Sequence, residues 1–419
     1  MYGTNRWLGI VLLSIAAWMP VRDSADQHTV TQDVGTQHAE SPSGEETTIR
    51  IATFNVSLYG ESAGEIRHRL QSSDDSQARR IAKIVQTVRP DILLVNELDY
   101  EEGGAPARLL AENYFAVGQL RASGGGSLEP IVYPYWYSAP SNTGLDSQLD
   151  LDGDGQSGAG GDAWGFGDYP GQYAMAVFSR YPLEQSKIRT FQQLLWKDLP
   201  QPKRPMRPAT GTPFHPDPIW SRLRLSSKNH LDVPIQIGER VLHLLASHPT
   251  PPVFDGPEDR NGCRNHDEIA FWSHYLDARS GDRSWLRDDL GGVGGLAPSS
   301  EFVIAGDLNA DPARGGGQTE AIVNLLADPL VQDPRPQRRA NVDASKVPGG
   351  SINDSQADAG EHADATADFG RNGLMRVDYV LPSRGLQVVD SGVFWPSEPD
   401  PRSDWLRATD HRLVWIEVR

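Results

Sequence analysis

The sequence predicts an α/β protein, and three observations lead to it. Short apolar runs rich in β-branched residues recur along the chain and read as buried strands. The first two, Thr48–Val56 (TIRIATFNV) and Ile92–Val95, are separated by Ser76–Val88. There Ala78, Ile81, Ala82, Ile84, Val85 and Val88 form a stripe at helical spacing, so the chain opens strand, helix, strand. Finally, the polar residues richest in chemistry stand where the apolar runs stop, which is where layered α/β proteins mount reacting groups.

Taken in order, the first strand ends at Asn55. Pro90 and Asp91 stop the helix, and Asn96, Glu97 and Asp99 follow the second strand. Gly118–Pro170 is a long Gly, Ser, Asp and aromatic insertion with little periodicity. Tyr173–Ser179 (YAMAVFS) is a core strand closed by Arg180-Tyr181-Pro182. Lys197–Lys228 is the one locally basic stretch, with Phe214 and Trp220 among its cations. Residue by residue it reads as a charged surface loop; as a patch it could face an anionic substrate. Val241–Ala246 is a strand that leaves through Ser247-His248-Pro249-Thr250, and Asn265–Ala278 reads as a helix with His266 and Glu268 in its first turn.

The most informative stretch is Phe302–Pro312 (FVIAGDLNADP). Phe302–Ala305 is a buried strand that Gly306 breaks. In an extended chain Asp307 and Asn309 then point to one side and Leu308 to the other, although Asp, Asn and Gly also make ordinary turns. Thr319–Leu326 is a short helix, and Asn341–Gly370 is an acidic, flexible insertion. Arg376–Leu381 (RVDYVL) is a strand containing Asp378. Asp410 and His411 precede the last strand, Leu413–Val418. No internal repeat of fixed period is present.

The 419 residues suit one large domain or two ordinary ones. Lys and Arg number 39 against 56 Asp and Glu, a net charge of −17, which opposes non-specific binding to polyanions or anionic membranes. That charge leaves room for a phosphate substrate held locally by a metal or an arginine. Arg6 followed by the apolar run Trp7–Trp18 resembles a secretory signal within residues 1–25 and is short for a spanning helix. Residues 26–47 are polar and read as a disordered linker. These features predict a secreted or periplasmic protein with no stable membrane insertion after processing. A single cysteine, Cys263, excludes an intrachain disulfide and a cysteine-based zinc site. In the long insertion, Asp150, Asp152, Asp154 and Gly155 match the opening of an EF-hand calcium loop. Gly161 stands at the twelfth position in place of Glu, with Asp162 one further on. A structural Ca²⁺ site and a solvated acidic turn both fit that pattern.

The strand ends together supply Asn55, Glu97, His248, Asp307, Asn309, Asp410 and His411, with Asp378 inside a strand. Their order and contexts (TFN, a strand then NE, SH, GDLN, VDYVL, TDH) resemble the endonuclease/exonuclease/phosphatase superfamily, from about Thr48 to Arg419. That superfamily includes pancreatic-type DNases, sphingomyelinases and inositol polyphosphate 5-phosphatases. The resemblance implies a four-layer α/β sandwich of the pancreatic-DNase kind, two packed mixed β-sheets flanked by helices. It spans residues 48–419, with insertions near 118–170 and 341–370. It also implies hydrolysis of a phosphate ester with Mg²⁺ or Mn²⁺.

On that resemblance Glu97 and Asp410 hold the metal and Asn55 steadies the ligand shell. Asp307 aligns or deprotonates the attacking water, and Asn309 holds the water or a phosphate oxygen. His411 contacts the phosphate with Asp378 on its other ring nitrogen, and His248 is a candidate general acid. The chain departs from the family pattern in having Asn96 where Gln is usual before Glu97. It also has Gly171 and Gln172 where DNases carry an acidic partner for the first histidine. The reading is an exported phosphoesterase acting on phosphate mono- or diesters, expected to be a monomer. A secreted nuclease and a non-catalytic binding protein on the same fold are the alternatives.

Overall fold

The computed structural model describes residues 48–158, 160–277, 283–339 and 362–419. The proposed signal and linker, and residues 341–361 of the second insertion, lie outside them. The strands that build the fold are β1 (Ile49–Leu58), β2 (Ile92–Leu98), β3 (Tyr135–Ala139), β4 (Met175–Ser179), β5 (Arg189–Thr190) and β6 (His230–Ile237). They continue with β7 (Arg240–Ser247), β8 (Glu301–Asp307), β9 (Arg338–Arg339), β10 (Asp378–Pro382), β11 (Val388–Phe394) and β12 (Val414–Val418). Three α-helices matter most: α1 (Ser76–Val88), α2 (Arg260–Leu276) and α3 (Glu320–Ala327).

The strands form two mixed sheets. The first runs β9-β11-β12-β1-β2-β4-β3 and the second β10-β8-β7-β6-β5. In the first, β1 pairs parallel with β2 and antiparallel with β12. In the second, β8 pairs parallel with β7 and antiparallel with β10.

Alternation along the strands explains the stacking. Ile49 and Ile51 of β1, Ile92 and Leu94 of β2 and Val414 and Ile416 of β12 pack against Leu242, Leu244, Val303, Ala305 and Val380 of the second sheet. Ala52, Phe54, Leu93, Val95 and Trp415 turn outward onto the Ile81 and Val85 face of α1. Leu245, Phe302, Ile304 and Leu381 turn outward onto Ile269, Trp272, Ile322 and Leu325 of α2 and α3. The result is helix, sheet, sheet, helix.

The α1 helix spans the residues its stripe predicts, and Asp75 caps it by accepting from the Ala78 N–H at 2.8 Å. The α2 helix starts five residues earlier than the sequence suggests, at Arg260. The Gly118–Pro170 insertion is not wholly irregular, because Tyr135–Ala139 forms an edge strand on β4. Among the described residues no helix is long and apolar enough to cross a membrane.

Candidate active site

The alternation that builds the core also builds the site. On β1 the inward series Ile49, Ile51, Thr53 ends at Asn55; on β8 the inward series Val303, Ala305 ends at Asp307. Core residues between the sheets thus give way to polar ones at one rim. Asn55 reaches across the gap, and its Nδ2 donates to Asp307 Oδ2 at 3.0 Å and to Glu97 Oε1 at 3.0 Å. The Asn55 carbonyl oxygen is occupied by the Ser57 N–H at 3.1 Å.

Glu97 requires a departure from alternation. Leu93 and Val95 face α1, so a regular β2 would carry Glu97 to that side as well. Instead its backbone is left-handed, with φ 57°, beside Ser57 at φ 46°, and the β1–β2 register shifts there. Such conformations cost about 1–3 kcal/mol and cluster at functional sites. Here the bend delivers the carboxylate to Asn55.

Asp307 has a neighbour on each flank. The parallel register of β7 and β8, Ala246 against Ala305, carried two residues on, sets His248 beside Asp307. His248 Nε2 lies 3.5 Å from Asp307 Oδ2 and 3.8 Å from Glu97 Oε1. Gly306 allows this approach, since a Cβ there would sit 2.0 Å from the Ser247 carbonyl oxygen. On the other flank, Asp378 is directly opposite Asp307 in the β8–β10 ladder. His411, arriving from the first sheet, bridges the two acids: Nδ1 is 2.9 Å from Asp378 Oδ2, and Nε2 is 3.6 Å from Asp307 Oδ2.

Asn309 is one step removed. The strand ends at Asp307, and Asn309 is left-handed, with φ 51°. Its N–H donates to Asp307 Oδ1 at 2.9 Å and its side chain to the Pro249 carbonyl at 3.1 Å. It is therefore held at the site by a turn, not by strand alternation. Asp410 is half-exposed, with Oδ1 3.8 Å from His411 Nε2.

The electrostatics follow from burial. Burial alone would lower the His411 pKa, but Asp378 and Asp307 beside it raise it to about 10, so the ring is an imidazolium at neutral pH. Burial pushes the Asp307 carboxyl upward; His411 and the Asn309 and Asn55 N–H groups oppose that rise, and Asp378 adds to it. His248 goes the other way. Burial, with Lys228 and His411 nearby, holds it well below the usual imidazole range, and neither ring nitrogen has a hydrogen-bond partner.

Ligand atoms of Glu97, His248 and Asp307 lie within 4.8 Å of one another, as do those of Asp307, Asp378 and His411. Oxygen donors converging with unpaired buried polar atoms suit a divalent cation.

Two residues that the sequence did not single out belong here. Lys228 is buried, with Nζ 3.5 Å from the Pro249 carbonyl. Burial lowers its pKa, against Glu268, Glu97 and Asp307, which raise it. It belongs to the basic stretch, but only the β6–β7 register, His230 against Ser247, shows that it flanks the His248 turn. Tyr59 packs edge-on against Tyr173 at 4.6 Å, with Glu97 and Asp410 acting on its phenol.

The acidic loop lies apart from this group. Asp150, Asp152 and Asp162 converge within 4.8 Å, Asp162 buried, whereas Asp154 turns back to accept from the Gln156 N–H at 2.8 Å. Asp162 takes the place that the sequence pattern gives to Asp154.

The model of the Endonuclease/Exonuclease/phosphatase family matches residues 52–411. The chain belongs to that family. Its members are typically metal-dependent hydrolases acting on phosphate esters or nucleic acids, and the fold generally uses a divalent metal.

Among solved structures the chain is similar to an endonuclease/exonuclease/phosphatase of Beutenbergia cavernae, with 17% identity and a TM-score of 0.49 over 89% of this chain and 72% of that one. It is also similar to beta toxin from Staphylococcus aureus, with 13% identity and a TM-score of 0.42 over 88% and 99%. A third is the human Nocturnin catalytic domain with bound sulfate, with 10% identity and a TM-score of 0.42 over 89% and 94%. No curated protein matches the chain.

Proposed function

We propose that this family member is an exported, Mg²⁺- or Mn²⁺-dependent phosphoesterase that hydrolyses a phosphate mono- or diester by in-line attack of water. The observation that carries the reading is the setting of Asp307. One oxygen is fixed by the Asn309 N–H, and the other faces Asn55, His248 and His411.

A buried carboxylate raised toward neutrality suits a base that orients and deprotonates water. His411, locked on Asp378, supplies a fixed positive charge beside the phosphoryl group as negative charge develops. His248, held neutral, can donate one N–H hydrogen bond to the leaving oxygen. That role fits its burial better than the reserve proton of a general acid. Asn309 and Lys228, which both donate to the Pro249 carbonyl, would hold a phosphate oxygen.

Glu97 and Asp410 would hold the metal, with Asn55 fixing the Glu97 carboxylate. When bound, the ion neutralises charge on the phosphoryl oxygens. The acidic surface favours a small ester over a nucleic acid. Export rests on Arg6 and the apolar run that follows, and N-terminal sequencing of the protein from its native host tests it. A chain beginning at Met1 there rejects export.

The test of function is a panel of phosphate esters, single- and double-stranded nucleic acid included, assayed with Mg²⁺, Mn²⁺, Ca²⁺ and EDTA. The expected result is EDTA-sensitive hydrolysis of a small ester, lost in Asp307→Asn. Hydrolysis of nucleic acid alone turns the reading to a nuclease, and no hydrolysis of anything turns it to a binding protein.

A further inference from the structure

The second and third turns of α2 carry Arg264, Asn265 and Glu268, which fall on neighbouring positions of one helix face. None of the three reaches the group around Asp307. All reach the backbone of the loops that carry it. Arg264 donates to the carbonyls of Leu225 at 2.9 Å, Trp164 at 2.7 Å, Arg224 at 3.0 Å and Ser226 at 3.0 Å. Asn265 Nδ2 donates to the carbonyls of Thr250 at 2.9 Å and Leu308 at 3.0 Å. Glu268 is 1% exposed. Its Oε1 accepts from the Ser227 N–H at 2.5 Å and hydroxyl at 2.8 Å, and its Oε2 from the Thr250 N–H at 2.7 Å.

The tied segments are not arbitrary. Ser227 precedes Lys228, Thr250 is two residues past His248, and Leu308 joins Asp307 to Asn309. Three chain segments at the same end of adjacent strands of one sheet, one entering β6 and two leaving β7 and β8, are thus fastened to one helix within one or two residues of their functional side chains. Asp378 and His411 lie outside the set; the Asp378 N–H donates to Thr366 Oγ1 at 3.0 Å, and its carboxylate faces His411 Nδ1 at 2.9 Å.

We propose that Arg264, Asn265 and Glu268 form a positioning module that sets the His248, Asn309 and Lys228 half of the site, separately from the Asp378–His411 half. A buried carboxylate is a costly way to satisfy two loops unless their placement matters, because burying charge carries a large desolvation penalty. Polar groups one shell out from the chemistry typically change activity by about tenfold to a hundredfold when removed, and small misplacements at a reacting centre have effects of that order.

The experiment uses the full chain and two readouts. The first is the ¹⁵N-histidine spectrum of wild type, Glu268→Gln and Asn265→Ala. The His248 resonances should shift or broaden while those of His411 stay in place. The second is a pair of double-mutant cycles in kcat. Glu268→Gln should lower kcat about tenfold to a hundredfold with a much smaller change in KM. Its effect should be non-additive with Asn309→Ala and additive with Asp378→Asn.

Asn265→Ser, which removes less, serves if the other variants fold poorly. Unmoved His248 resonances, equal disturbance of both histidines, or additive losses with Asn309→Ala overturn the proposal. The kinetic arm rests on the phosphoesterase reading. If wild type hydrolyses nothing, that reading fails, and the histidine spectra alone decide for or against the module.

Discussion

Replacing Asp378 by Asn tests whether the Asp378–His411 contact acts through charge or through shape. An Asn can still accept from the His411 Nδ1–H, so the ring stays oriented while the full negative charge 2.9 Å away is removed. At an effective dielectric of about 20, unit charges about 3 Å apart interact by roughly 5 kcal/mol. Relaxation and the partial charge of the amide reduce that to about 3 kcal/mol, or roughly two pKa units. His411 is raised to about 10 in the native protein, so the variant should titrate near 8. Wild type then keeps the imidazolium to about pH 9, and the variant has mostly lost it there. The ratio of wild-type to variant kcat should grow about tenfold between pH 7 and pH 9. His411→Ala should lose about two to four decades at every pH, and adding Asp378→Asn to it should change little. The assay is kcat against pH for the four proteins of the cycle, with thermal unfolding beside it. A variant profile parallel to wild type refutes the electrostatic coupling. Additive losses refute the pair.

Three further outcomes follow from the same structure. Glu97→Gln should raise the Mg²⁺ concentration needed for half-maximal activity at least tenfold without lowering the unfolding temperature, and unchanged metal dependence rejects Glu97 as a ligand. Calorimetry should show one Ca²⁺ bound by wild type and at least tenfold weaker binding by Asp152→Ala, with Asp154→Ala near wild type, since Asp154 stands outside the converging group; equal binding by all three removes the site. Burial holds His230 and His215 down to about 4. The unfolded chain takes up those protons near pH 6.5 and the native chain does not, so stability is complete above that pH and falls between about 6.5 and 4, by up to about 1.4 kcal/mol per pH unit for each ring. Unfolding temperature against pH should show a shallower slope in His230→Gln, and an equal slope rejects the assignment.

The strands that the sequence revealed are the ones whose alternation or apolar run is uninterrupted. Those it hid are interrupted for identifiable reasons. β6 escapes notice in the sequence because polar His230 and Asp232, and then Pro234, occupy alternate positions along it. The structure tolerates the proline there because the outer neighbour, β5, pairs only with Leu231 and Asp232. β3 is embedded in a Gly- and Ser-rich insertion and is recognisable only once β4 lies beside it. The polar strand ends were legible one by one, but their neighbours were not. Register decides that Asp307 faces Asp378 and flanks His248, and register is a long-range property. Glu97 is the clearest case. Its type and position marked it, yet strict alternation puts it on the wrong side of its sheet, and only the left-handed backbone brings it to Asn55.

Like carboxylates directly opposite one another in a ladder repel, and at Asp307 and Asp378 both are buried. No folding requirement places them there; a pair of apolar residues would close the sheet end at lower cost. The arrangement becomes tolerable only when a cation lies between them, and His411 is delivered from the opposite sheet to that position. The second sheet therefore carries an electrostatic defect that the first sheet repairs. The repair leaves a protonated imidazole and a carboxylate of raised pKa side by side at the polar rim of an apolar core. A neutral His248, and Glu97 held by Asn55, complete the opposite side. The site lies where two sheets that share one core each end in polar residues, and that convergence, more than any single residue type, is what would fit the rim for the proposed acid–base chemistry.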